Sequence, residues 1–204
     1  MKNLTKSLFV TLTLILFMAS ARAETTALEV VKNTSVQVIE RLTNESGNIE
    51  DDPQAVKSAI DEFITPNFDF PKMSRWILGK KNWKSATSDQ QERFTNAFQN
   101  LLIKTYSKAL VASKDVDINY LPVRMSKDKK KAIVNAEVDR KNGSKVIPLS
   151  FRLYQAGDTW KVYDVSIDNV SLVSTYRKTF KDEIKRKSLD DLISKLESRA
   201  ESAS

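Results

Sequence analysis

The sequence predicts an α+β fold in one domain: helices over 25–113, an antiparallel sheet of about four strands over 115–168, and helices again over 171–197. Three observations carry this. Apolar residues recur at helical spacing as far as about Ser113. From Val116 the period drops to two, and from Leu172 it lengthens again. Turn signals, Asn142-Gly143 and Gly157-Asp158, separate the alternating runs. No internal repeat or low-complexity linker interrupts 24–204, so one core is expected across that span.

The elements follow in order. Residues 1–23 have a basic start at Lys2 and Lys6, an apolar run from Leu8 to Met18, and an A-x-A signal at Ala21-Arg22-Ala23. This is the pattern of a secretory signal peptide cleaved after Ala23, too short to span a bilayer. Leu28, Val31, Val38, Ile39 and Leu42 share one face of a first helix over 25–44. Residues 45–52 are polar and read as a loop. Pro53 suits a first helical turn, and Val56, Ile60, Phe63 and Ile64 continue a second helix until Pro66 stops it. Pro71 opens a short third helix with Met73, Trp76 and Ile77, ending at Gly79. Thr87 and Gln90 form a capping box that starts the longest helix, with a broad apolar face from Phe94 to Leu110.

In the sheet, Val116, Ile118 and Tyr120 alternate with polar residues, as do Ala132, Val134, Ala136 and Val138. Ile147, Leu149, Phe151 and Leu153 share a face of the next strand, and Tyr163, Val165 and Ile167 of the one after. Leu172, Val173, Tyr176 and Phe180 mark the following helix. Ser188 to Asp191 caps a last one carrying Leu192, Ile193 and Leu196.

Composition removes many chemistries. Among 204 residues there is no Cys and no His, so thiol nucleophiles, disulfides, imidazole or thiolate metal sites and His-dependent triads are excluded. Only 4 Gly argue against Gly-rich phosphate loops. The net charge is +7, three of its basic residues lying in the leader; the other 181 residues carry 30 basic and 26 acidic side chains. The clusters Lys80-Lys81, Lys127 with Lys129 to Lys131, and Lys185 to Lys187 sit at turns and helix ends. They read as solvated surface rather than a nucleic-acid face, or as weak attraction to anionic headgroups or acidic partners. The carboxylate pairs Asp51/Asp52 and Asp190/Asp191 stand at helix starts, where acids suit the dipole. Asp164 and Asp168 could serve as acid and base, but no nucleophile accompanies them, and pairing of Asp164 with Arg177 or Arg75 is the simpler expectation. The apolar faces either close on one another as ordinary core or wall a cavity.

The order of motifs adds a resemblance. Phe68-Asp69-Phe70, then Met73-Ser74-Arg75-Trp76-Ile77-Leu78-Gly79-Lys80, Trp83, Ala86-Thr87 and Gln90 resemble the MlaC family of toluene-tolerance auxiliary proteins. So do Phe94 with Phe98-Gln99-Asn100-Leu101-Leu102, and Thr105-Tyr106 with Ala109-Leu110. The stretch Trp160 to Asp164, Val165 to Val173 and Tyr176-Arg177 is similar as well, as is the last helix. The likeness spans about Ala27 to Leu196. The family usually has Gly at Asn169 and Asn at Thr175; Asn tolerates positive φ, so the turn is expected to survive.

The resemblance implies an NTF2-like curved sheet that encloses a deep apolar pocket with the helices. It implies a monomeric periplasmic carrier whose cargo is a phospholipid, acyl chains inside and headgroup outside. The carrier would move lipid between an outer-membrane lipoprotein–porin complex and an inner-membrane ABC transporter with an MCE-domain subunit, maintaining outer-membrane lipid asymmetry. No enzymatic activity, cofactor or nucleic-acid partner is expected. The lipid-binding residues it suggests are Phe98, Leu102, Tyr106, Leu110, Ile147, Leu149, Phe151, Tyr163, Val165, Val170, Leu172, Val173 and Tyr176, with Trp76 and Trp160 packing helices on sheet. The physics suits such a job. Exposing roughly 30 methylenes costs on the order of 24 kcal/mol, so a lipid crosses water only inside an apolar enclosure. The alternatives are a periplasmic adaptor or chaperone taking a peptide in an NTF2-like cone, and an enzyme using Asp164.

Overall fold

The computed structural model describes residues 25–44, 53–111, 116–140 and 145–201. The leader with its cleavage signal, the 45–52 stretch with Asp51 and Asp52, and the Asn142-Gly143 turn lie outside these residues. Among the described residues, six α-helices and a six-stranded antiparallel sheet form the fold.

Helix α1 (Ala27–Asn44) opens on a reciprocal cap: Thr26 N–H donates to Glu29 Oε2 at 2.7 Å, and Glu29 N–H to Thr26 Oγ1 at 3.2 Å. Helix α2 (Pro53–Ala59) does not continue regularly as expected. It widens into a π-helical stretch (Ile60–Ile64) and then tightens into a 3₁₀ turn (Thr65–Asn67), since Pro66 cannot supply an N–H to a regular helix. Asp69 caps α3 (Phe70–Ser85) by accepting from Lys72 N–H at 2.9 Å. The expected end at Gly79 is a kink instead. Gly79 takes φ 75° and ψ 160°, open to a residue without a Cβ, and the helix then resumes to Ser85. The capping box of α4 (Ser88–Val111) forms as read: Thr87 N–H reaches Gln90 Oε1 at 3.0 Å and Gln90 N–H reaches Thr87 Oγ1 at 3.1 Å.

The four expected strands are β1 (Asp117–Tyr120), β3 (Lys131–Asp139), β4 (Ile147–Ala156) and β5 (Thr159–Ile167). Two more, β2 (Arg124–Met125) and β6 (Val170–Ser171), have only two residues each, too few for a period to show. The strand order is β1-β3-β4-β5-β6, with β2 also on β3. Gly157, at φ 63°, makes the β4–β5 turn. Between β5 and β6, Asp168 and Asn169 take φ 49° and 66°, so Asn169 makes the left-handed turn that Gly would make. Ser171 caps α5 (Leu172–Arg186), and Ser188 with Asp191 caps α6 (Leu189–Glu201).

Arg93 grips Glu197 through two hydrogen bonds of 2.9 and 2.7 Å, and Gln90 Nε2 donates to both oxygens of Asp190 at 2.9 Å; together they fasten α6 along α4. The Asp190/Asp191 pair is thus spent on docking and capping. On the sheet's outer face, Tyr154 donates to Asp69 and carries Lys72 Nζ 3.3 Å above its ring. Burial first, and then the Asp69 carboxylate, push the Tyr154 phenol up to about 12 from 10.0. A phenol held neutral in the fold stabilises it fully below about pH 10, and that contribution is lost as pH rises through 12. Ultraviolet titration should therefore show the Tyr154 tyrosinate appearing last, near pH 12, and Tyr154→Phe should remove that last step; an unchanged titration would mean the Asp69 contact does not persist.

The apolar interior comes in three clusters. One joins α3, α4, α5 and α6 through Met73, Ile77, Phe94, Phe98, Phe180 and Ile193. A second packs α1 on the sheet through Val30, Val31, Val134, Leu153 and Val162. The third ties α1, α2 and the end of α4 through Val38, Leu42, Val56, Ile60 and Val111. In α3, before the kink, Ser74 is fully buried and its hydroxyl has no hydrogen-bond partner among the described residues. An unmade buried hydrogen bond costs about 1–3 kcal/mol. Ser74→Ala, which removes that group and raises helix propensity, should raise stability by about 1 kcal/mol in urea denaturation. A loss of stability would show that the hydroxyl has a partner.

Candidate functional site: an apolar cavity where three cores meet

The three clusters do not merge. Where they would join lies a cavity of about 310 Å³, and each contributes to its wall: Phe70 and Met73 from the first, Val30, Val31, Val162 and Val165 from the second, Val38 and Ile60 from the third. The inward sheet face supplies Ile118, Val138, Ile147, Leu149, Phe151 and Ile167, while α4 supplies Leu102, Ile103, Tyr106, Ala109 and Leu110. Sheet positions that would be sealed in a closed core remain half-buried: Ile147, Leu149 and Phe151 face this space rather than a facing layer of side chains. The size and the lining are those of a pocket for an apolar ligand.

The side-chain hydroxyls of Thr34, Ser35 and Tyr106 on the wall are engaged with the protein itself. Thr34 Oγ1 accepts from Asn67 Nδ2 at 2.9 Å, and Ser35 donates to the Val31 carbonyl at 2.9 Å. Tyr106 hydrogen-bonds to Tyr176; burial and that neighbour push its phenol up. Tyr120, behind the wall, is pushed up by burial, an effect opposed by its hydrogen bond to Ser35. The cavity thus meets a ligand with methyl and ring surface, as a site for hydrocarbon must, since an unpaired polar group against hydrocarbon is costly.

Of the residues expected to contact lipid, Leu102, Tyr106, Leu110, Ile147, Leu149, Phe151, Val165 and Leu172 stand on this wall. Five lie elsewhere. Phe98 is fully buried between helices, stacked at 6.3 Å on Phe94 and meeting the Tyr176 ring edge-on at 5.3 Å. Val173 belongs to the same helical core, and Tyr176 packs against it, supporting Tyr106 from behind. Val170 is 56% exposed at the β5–β6 turn. Tyr163 faces the other side of the sheet, tilted against Trp76 at 5.0 Å and Tyr154 at 6.1 Å. The cause is a β-bulge. Arg152 pairs with Asp164 but Leu153 pairs with Val162, so Tyr163 is the extra residue and the alternation changes phase there. Val162 takes the inward position instead. Trp160 is buried under α1 as expected, and Trp76, though 41% exposed, packs α3 on the Tyr163 ring of β5 as expected.

The wall also includes residues not read as binding from the sequence: Val30, Val31, Val38 and Ile39 on α1, the π-helical pair Ile60 and Ile64, and Phe68, Phe70 and Met73. Their spacing on α1 is that of any helix face, so nothing in the pattern separates wall from core. Asp164 is buried, but it is a capping residue: it accepts from Ser171 Oγ at 2.8 Å and from Val173 N–H at 3.2 Å, not from Arg177 or Arg75. Among the described residues no group of acidic side chains could hold a metal ion, and no helix is long and apolar enough to cross a membrane.

The MlaC protein family matches residues 32–198. The chain belongs to the MlaC family. Two relatives carry descriptive names: toluene tolerance protein ttg2D of Pseudomonas putida, 27% identical over 162 residues (79% of this chain and 74% of that protein), and the intermembrane phospholipid transport system binding protein MlaC of Haemophilus influenzae, 23% identical over 191 residues (93% and 89%). A phospholipid-binding protein from Ralstonia solanacearum, solved in complex with a phospholipid, superposes with a TM-score of 0.75 at 29% identity, covering 85% of this chain and 96% of its own. The expected α+β architecture thus recurs in a solved relative of this MlaC-family chain.

Proposed function

We propose that this MlaC-family protein is a periplasmic phospholipid carrier, moving lipid between an outer-membrane lipoprotein–porin complex and an inner-membrane ABC transporter with an MCE-domain subunit, and so maintaining outer-membrane lipid asymmetry. The observation that carries the reading is the apolar cavity at the junction of three cores, in a chain that shares its fold with a protein solved around a phospholipid. On this reading the concave sheet, curved in an NTF2-like manner, and helices α1 and α4 hold the acyl chains through Leu102, Tyr106, Leu110, Ile147, Leu149, Phe151, Val165 and Leu172. The chain acts as a monomer, without a cofactor and without enzymatic turnover. Each methylene moved from membrane to cavity stays out of water, so loading is near neutral, whereas a free lipid would have to expose about 0.8 kcal/mol per methylene.

Native mass spectrometry of the mature protein, with a solvent extract of the same sample, tests this. A mass increment of one phospholipid, matched in the extract, is expected. A bare polypeptide that also takes up no lipid from liposomes would overturn the carrier reading and favour a peptide-binding adaptor.

A further inference from the structure

Among the described residues, Arg140 is the one charged side chain on the cavity wall. Its position follows from strand phase. In β3, Ala132, Val134 and Ala136 are buried and Val138 lines the cavity; Val138 pairs with Ile147, another wall residue. Arg140 is the next position in that inward series, just beyond the end of β3, where the alternation would otherwise place one more apolar side chain. Asp139 and its cross-strand partner Asp117 stand in the opposite phase, on the outer face. Arg140 is exposed, as Ala109 is, so it marks the open end of the cavity, and among the described residues no carboxylate shares the wall with it. Among the described residues it makes no ion pair or hydrogen bond of its own.

We propose that Arg140 is the specificity-determining residue of the mouth, binding the phosphodiester of the cargo lipid where the acyl chains end and the headgroup begins. The inference rests on the carrier reading and adds which lipids the carrier takes. A guanidinium presents paired N–H donors that match two phosphate oxygens, and it stays charged at any physiological pH. The rest of the described wall carries no charge, so among the described residues this cation is the one charged group on it able to distinguish a phospholipid from a neutral lipid with the same chains. It leaves the group beyond the phosphate unread.

The test is competitive loading from vesicles that contain phosphatidylglycerol and diacylglycerol with identical acyl chains, read by native mass spectrometry for the wild type, Arg140→Gln and Arg140→Lys. The wild type should favour the phospholipid. Arg140→Gln should keep the wild-type circular dichroism but lose about fivefold of that preference, the scale of an exposed charge-assisted contact. Arg140→Lys should keep part of it. An Arg140→Gln preference equal to wild type overturns the assignment while leaving the carrier intact. Failure of all three proteins to load any lipid overturns the carrier reading and this one with it. Loss of the wild-type preference in millimolar inorganic phosphate, but not in the same ionic strength of chloride, would assign the site to free phosphate and overturn its lipid role.

Discussion

Leu102→Glu is expected to give a folded protein that retains no lipid. Leu102 is half-buried on α4 and faces the cavity, so the carboxylate of the variant has open space on one side rather than a packed layer. The fold therefore loses little. A hydrocarbon chain in the cavity, by contrast, would lie against an ionised group, and desolvating a charge without a partner costs several kcal/mol. Solvent extraction of the purified variant should yield no phospholipid, while its circular dichroism matches the wild type. Val165→Glu should empty the cavity as well, with a larger loss of stability, because Val165 is 9% exposed within the sheet core. If lipid still co-purified with either folded variant, these walls would be wrongly assigned.

Phe98→Ala should have the opposite profile. Phe98 lies one turn before Leu102 on the same helix but is fully buried, between Phe94 and Tyr176. Truncating a buried Phe typically costs about 3–5 kcal/mol, and with a domain's whole stability about 5–15 kcal/mol the variant should melt roughly 10 °C lower. Leu102→Ala, whose methyl groups border existing empty space, should cost about 1 kcal/mol, since the cost depends on the void newly created. Thermal melts of the two variants side by side distinguish core from wall. Equal losses would mean that Leu102 is as tightly packed as Phe98.

That contrast shows how far the sequence could be read. The period change after α4, the Thr87–Gln90 box and the Ser188–Asp191 cap are local signals, and local geometry obeyed them. Phe98 and Leu102 share an apolar helical face, but which part of it meets another helix and which meets empty space depends on how α4 lies against α1, α3 and α6. That is a tertiary fact with no periodicity of its own. Tyr163 failed for a different reason: strict alternation is a sound rule until one extra residue enters a strand, and the bulge inverts everything on one side of it. The kink at Gly79 follows the same logic, because a glycine can end a helix or bend it, and only its neighbours decide. Arg140 was legible in principle, as a charge standing in the inward phase of β3.

The engaged hydroxyls of the wall have a consequence for motion. Thr34, Ser35 and Tyr106 already have partners within the protein, so they do not catch on anything that passes. A hydrocarbon chain sliding along such a surface trades one dispersion contact for an equivalent one at every step, and meets no sequence of discrete sticking points. Friction is then low along the whole path, and chains differing in length or unsaturation travel it equally well. With the proposed role of Arg140, polar hold on the cargo is confined to the rim, which leaves release to be triggered there without disturbing the interior.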